Sequence, residues 1–222
     1  MAEQMPFGDV ELASNPEPRC PCVLLLDVSG SMAGQAMVHL NAGLETYQTE
    51  LLSDPLASQR VEVSIITFGG KVETVVPFVT PDRLVLPHIS AEGETPLGAA
   101  ILQGVEAIAE RKRQYKRFGL HYYRPWIFLI TDGAPTDDWL PAATKVRDGE
   151  AAKAFAFFAV GVEGADFSVL KQISKREPLK LKGLSFRELF VWLSQSQKQV
   201  SRSKPGQEEG VPLPNPTGWA NL

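Results

Sequence analysis

Three runs that are apolar at nearly every position, residues 23–28, 126–131 and 155–162, constrain this chain most, because the segments between them change to a helical period. A strand that is apolar at every position, not at every second one, must be covered on both faces. That is the condition of a parallel sheet held between two layers of helices. The intervening spacing agrees. Met37, Leu40, Leu44, Tyr47 and Leu51 recur as one helical face, and so do Ile101, Val105 and Ile108. Residues 139–152 can form a helix, Phe167, Leu170 and Ile173 mark a short one, and Phe186, Leu189, Phe190 and Leu193 line a closing one. Residues 179–181 read as a last short strand.

One pair of strands breaks the alternation. Residues 60–68 and 71–78 are rich in Val, Ile, Phe and Thr and are joined by Gly69-Gly70, which supplies the positive φ angles of a tight hairpin. The second of them therefore lies antiparallel at an edge. The expected fold is α/β in three layers: a mostly parallel sheet with one antiparallel edge strand and helices on both faces.

At 222 residues and 44% hydrophobic composition the chain suits one domain. Residues 1–19, with Pro6, Gly8, Asn15, Pro16 and Pro18, read as an N-terminal arm, residues 20–200 as the domain, and residues 201–222 as a flexible tail rich in Pro and Gly. In that tail Trp219 is either an anchor or incidental. A net charge of -4 argues against a general nucleic-acid or anionic-membrane binder. No apolar stretch reaches the roughly 20 residues of a membrane helix, and the first twelve residues carry acids where a secretion signal is basic and apolar. The chain is expected to be soluble and cytoplasmic. Cys20 and Cys22, separated only by Pro21, suit neither a mutual disulfide nor a zinc site and are expected to be reduced thiols.

The chemistry is concentrated where strands end. Asp27, Ser29 and Ser31 follow the first apolar run, and Asp132 follows Thr131 at the end of another; Thr95 stands just before a helix. Each has a plain structural reading when taken alone. Thr95 before Pro96 suits a helix N-cap, Ser29 and Ser31 can cap the helix after the first strand, and Asp132 can open the turn at Gly133. Taken together they read differently. Ligands of an open parallel sheet bind beyond the carboxyl ends of its strands, where strand order reverses. There the set offers hydroxyl and carboxylate oxygens, the donors a hard divalent cation accepts.

This D-x-S-x-S run, with Thr95 and Asp132, resembles the metal-ion-dependent adhesion site (MIDAS) of von Willebrand factor type A domains over roughly residues 20–200. The resemblance implies a Rossmann-like fold, no catalysis, and a metal site of Asp27, Ser29, Ser31, Thr95 and Asp132 holding Mg2+, with Mn2+ or Ca2+ as alternatives. Ser29, Ser31 and Thr95 would coordinate the ion directly or through water, and Asp27 and Asp132 commonly through water. An open position would accept an Asp or Glu of a protein partner, since hydroxyl ligands leave the ion much of its charge. Residues 15–19, 95–98 and 131–139 further resemble a bacterial TerY-like branch associated with tellurite resistance and stress, without the Cys-rich extension of its larger members.

Other polar groups have simpler expectations. Asp137 and Asp138 could extend the metal site but more simply suit the acidic start of the helix that follows them, and Glu94, beside Thr95, suits solvent by default. The cluster Arg111, Lys112, Arg113, Lys116 and Arg117 suits a solvated helix end, and His39, His88 and His121 show no zinc spacing. Two other function classes compete. A Mg2+-dependent phosphate-transfer enzyme would use Asp27 as nucleophile, but position 29 is Ser where the general acid would stand, and neither a P-loop nor a nucleophile elbow is present. A subunit of an ATPase-associated assembly would use the metal chiefly for stability.

Overall fold

The structure, a computed structural model, describes residues 12–207 and 210–221. Residues 1–11 of the expected arm, and residues 208, 209 and 222 of the expected tail, lie outside the described residues. In chain order the elements are β1 (Cys20–Asp27), α1 (Gln35–Leu52), the short α2 (Ala57–Arg60), β2 (Val61–Gly69), β3 (Lys71–Val79), α3 (Leu97–Arg117) and β4 (Trp126–Thr131). Then come α4 (Leu140–Ala151), β5 (Ala156–Gly161), α5 (Phe167–Ile173), β6 (Leu179–Leu181), α6 (Phe186–Ser201) and β7 (Ala220–Asn221).

The sheet order is β3-β2-β1-β4-β5-β6-β7. β2, β1, β4, β5 and β6 run parallel, and β3 returns antiparallel beside β2 across the Gly69-Gly70 turn, where Gly70 takes a φ of 68°. The edge strand β3 carries Lys71, Glu73 and Pro77 and a register irregularity, features that discourage pairing with another chain.

Both faces of the sheet are covered. Along β1, Cys20, Cys22, Leu24 and Leu26 enter one apolar core with α1 and α6, while Val23 and Leu25 enter a second core with α3, α4 and α5. β4 divides in the same way, Phe128 and Ile130 against Ile127 and Leu129. The uninterrupted apolar runs are thus two alternating sets, and each fully buried Leu, Ile or Phe contributes roughly 1.5–3 kcal/mol. Gly43 lets α1 approach α6 closely, since a Cβ there would stand 2.6 Å from the Phe190 ring.

β1 and β4 are neighbours, yet the chain leaves them in opposite directions, toward β2 and toward β5. This is the reversal point of the sheet, and ligands of open α/β sheets bind beyond the carboxyl ends of the strands at such a point. Asp27 ends β1 and Asp132 follows β4.

The structure corrects two expectations, the first of them at the opposite end of the strands. Arg111 is not part of a solvated helix end: it is 6% exposed, and its Nε lies 2.8 Å from Glu62 Oε2. Arg19 Nε lies 2.9 Å from Glu62 Oε1, and the Tyr115 hydroxyl donates to Glu62 Oε2 at 2.5 Å. Glu62 sits on β2 with no exposed surface, so the two guanidinium groups satisfy a carboxylate that could not otherwise be buried. Burial works against the Arg111 charge, yet Glu62 holds its pKa above the ordinary value. Arg19 also donates to the carbonyls of Asn15 and Glu17, which docks the end of the arm to the domain.

The second correction concerns the C-terminal residues. Trp219 is 2% exposed and packs on Trp192 with ring centroids 5.4 Å apart. Trp192 Nε1 donates to Pro214 O, and Ala220–Asn221 adds the antiparallel strand β7 to β6. Pro and Gly set the path of this segment, while one indole supplies the burial that anchors it.

Candidate metal centre

The turn after β1 carries three of the five oxygen residues. Asp27 is fully buried; its Oδ1 accepts from the Ser29 N–H at 2.9 Å, and its Oδ2 accepts from the Thr131 hydroxyl at 2.5 Å. The Ser29 and Ser31 hydroxyls lie 3.0 Å apart, and the Ser31 hydroxyl donates to Asp132 Oδ1 at 2.8 Å. Asp27, Ser29, Ser31 and Asp132 therefore form one polar chain from the end of β1 to the end of β4.

Thr95 reaches the same place from a third loop. A Cβ placed on Gly133 would stand 3.1 Å from Thr95 Oγ1 and 3.8 Å from Asp27 Oδ2, so these oxygens border one small space that glycine leaves open. Thr95 is 5% exposed, and its hydroxyl makes no hydrogen bond among the described residues. It is not the N-cap that its sequence context suits. α3 begins at Leu97 behind Pro96, which has no side-chain cap bond, and the carboxylate of Asp137 accepts from Gly98 N at 2.9 Å and Ala99 N at 2.8 Å.

Asp137 is thus a correction: it caps α3, not the helix that follows it. Asp138 keeps the expected role, its Oδ1 accepting from Leu140 N. Backbone bonds hold the loops together. Gly30 N donates to Gly93 O, Glu92 N to Val28 O and Thr136 N to Thr95 O. Glu94 is exposed, as expected.

The electrostatics suit a cation. Burial raises the Asp27 pKa, against hydrogen bonds from Ser29 and Thr131 that lower it. Burial also raises that of Asp132, and the nearby Asp27 charge adds to the rise, against the Ser31 hydrogen bond. Two buried carboxylates that disfavour each other's charge are relieved by a positive ion between them. Among the described residues no three His, Cys, Asp or Glu side chains group as metal ligands, so an ion here would rely on hydroxyls as well as carboxylates. An all-oxygen set suits a hard divalent cation and can hold one.

Sequence reasoning missed three contributors. Thr131 was legible in principle, since Leu26 pairs with Ile130 and the next positions, Asp27 and Thr131, must then be neighbours. Gly133 and Asp137 act across loops, and no linear spacing announces either.

The von Willebrand factor type A domain profile matches residues 22–187. The chain belongs to the von Willebrand factor type A family. Solved structures share its fold. The pilus adhesin SpaC from Lactobacillus rhamnosus GG aligns at TM-score 0.66 and 14% identity, covering 83% of this chain and 32% of that one. The ArnB paralog VWA2 from Sulfolobus acidocaldarius aligns at 0.55 and 19%, covering 81% and 45%. Proximal thread matrix protein 1 from the mussel byssus, whose MIDAS motif holds zinc in that structure, aligns at 0.55 and 16%, covering 81% and 49%.

Identities this low show the fold alone, and the chain spans about a third to a half of the length of these proteins. No curated protein matches it. vWA domains commonly bind a divalent metal at a MIDAS and mediate protein–protein interactions. Among the described residues of this vWA domain, no helix is long and apolar enough to cross a membrane.

Proposed function

We propose that this vWA domain is a metal-ion-dependent protein-binding module, without catalytic activity, that holds Mg2+ with Ser29, Ser31, Thr95, Asp27 and Asp132. The observation that carries the reading is the hydroxyl of the nearly buried Thr95, which has no hydrogen-bond partner among the described residues and faces the polar chain from Asp27 to Asp132. When bound, the ion supplies a Lewis-acidic position that a carboxylate of a partner protein can fill. The three hydroxyls are neutral and cancel none of the ion's charge, which favours attraction of an outside anion, and a donor set without nitrogen or sulfur favours Mg2+ over softer metals.

The narrower proposal is a bacterial TerY-like role in tellurite resistance or stress response, in the cytoplasm. It is supported by the residues at 15–19, 95–98 and 131–139 and by two buried cysteines, Cys20 and Cys22, that form no disulfide, which suits a reducing compartment.

The test is capture of partners from a native lysate by wild type and by Asp27→Ala, each folded, each with Mg2+ and with chelator. Capture by wild type with Mg2+ only is the expected result. Equal capture in all four conditions would reduce any metal to a structural role and move the binding surface elsewhere.

A further inference from the structure

The α3 N-terminus is capped from a distance, and that arrangement has a consequence for the metal centre. A helix start leaves backbone N–H groups without intrahelical partners, and the residue just before it usually satisfies them with a side-chain oxygen. Here the position is Pro96, and the nearest hydroxyl is that of Thr95. A Thr turned to that task would spend its Oγ1 on the helix. It does not, because the two oxygens of Asp137 take Gly98 N and Ala99 N from a loop 39 and 38 residues away in sequence.

The same loop carries Asp132 at its other end. Between them, Thr136 N donates to Thr95 O at 2.9 Å, and Gly133 packs against Thr95 Oγ1. The contact is tight on the helix side as well, where a Cβ on Gly98 would stand 2.7 Å from Asp138 O. The adjacent residues Thr136 and Asp137 thus stitch this loop to residues 95–99, by a backbone bond to Thr95 and a side-chain cap on Gly98 and Ala99.

We infer that Asp137 is a positioning residue for the metal centre: by capping α3 it releases the Thr95 hydroxyl from capping and holds it in register with Asp132. The inference rests on the metal-site reading above. Asp137 touches no ion itself and acts through Thr95. Groups that orient metal ligands in this way typically alter affinity about 10–100-fold when removed. Both carboxylate oxygens are in use, so Asn at this position keeps one acceptor and turns an N–H donor toward the other amide, giving a partial loss.

The experiment is a double-mutant cycle on the full chain, with Mg2+ affinity measured by calorimetry and Mn2+ affinity by electron paramagnetic resonance. It compares wild type, Asp137→Ala, Asp137→Asn, Thr95→Ala and Asp137→Ala/Thr95→Ala, with circular dichroism confirming the fold of each. The expected result is metal binding weakened about 10-fold or more by Asp137→Ala, less by Asp137→Asn, and no further by Asp137→Ala once Thr95 is already Ala. Should Asp137→Ala fail to fold, the Asp137→Asn cycle replaces it. Wild-type affinity in Asp137→Ala, or equal losses in the presence and absence of the Thr95 hydroxyl, would overturn the inference. Absence of metal binding by wild type would overturn the metal-site reading itself, a separately readable failure.

Discussion

The Ser31 hydroxyl donates to Asp132 Oδ1 at 2.8 Å across 101 positions of sequence, joining the turn after β1 to the loop after β4. Those strands adjoin at the reversal point of the sheet, so the bond spans the place where an α/β sheet presents its ligand site. Ser31→Ala removes one hydroxyl donor and unties Asp132. It is expected to weaken Mg2+ binding about 10-fold or more while shifting metal-free stability by about 1 kcal/mol. Calorimetric titration and chelator-treated denaturation curves measure the two effects separately.

Gly133→Ala tests the space beside Thr95. The added methyl carbon would stand 3.1 Å from Thr95 Oγ1 and near Asp27 Oδ2, tighter than ordinary van der Waals contact. The expected outcome is a clear loss of Mg2+ affinity in a protein that keeps its fold, read by titration beside a circular dichroism spectrum.

The pH dependence of metal stabilisation follows from Asp27 and Asp132. Both pKa values are raised in the metal-free fold, chiefly by burial. A raised pKa means that the folded state holds the proton more tightly than the unfolded chain does. These groups therefore favour the metal-free fold fully below the unfolded value of 3.8, and that contribution is lost as pH rises through their folded values. Metal binding needs both carboxylates ionised. The rise in melting temperature on adding Mg2+ should be larger at neutral pH than near pH 4–5, as thermal melts with and without the ion would show.

How much of this was legible depended on the range of the interaction. Residues 126–130 are apolar at every position because both faces are covered, and that pattern is enough to read strand type, parallel pairing and layer order from the sequence. The D-x-S-x-S run was local, and Thr95 and Asp132 were legible through the family pattern. Arg111 was not, because a basic residue near a helix end looks the same whether it faces solvent or, as here, Glu62 on β2, 49 residues away. Asp137 and Trp219 failed for the same reason. The partners that decide their roles, α3 and Trp192, are remote in sequence.

The buried network at the other end of the sheet should govern stability and not metal binding. Glu62→Gln leaves Arg19 and Arg111 without their shared carboxylate in an environment 0–7% exposed. A loss of about 3–5 kcal/mol is expected from denaturant titration, with the affinity of the surviving folded protein for Mg2+ unchanged.

Cys22 supplies a probe of the intact core. Burial pushes its thiol up to about 12, offset only in part by hydrogen bonds with Tyr47 and Gln197. Its contribution to stability is present below the unfolded value of 9.0 and is lost as pH rises toward 12. Alkylation by iodoacetamide at neutral pH should be slow in the native protein and fast in denaturant, a contrast that mass spectrometry resolves.

The most direct measurement is calorimetric titration of Mg2+ into the chelator-treated wild type and into Thr95→Ala, with the fold of both confirmed. One binding event per chain in wild type and a loss of affinity in Thr95→Ala is the expected result. No binding by the folded wild type, or the same affinity without the Thr95 hydroxyl, would contradict a metal centre built from Asp27, Ser29, Ser31, Thr95 and Asp132.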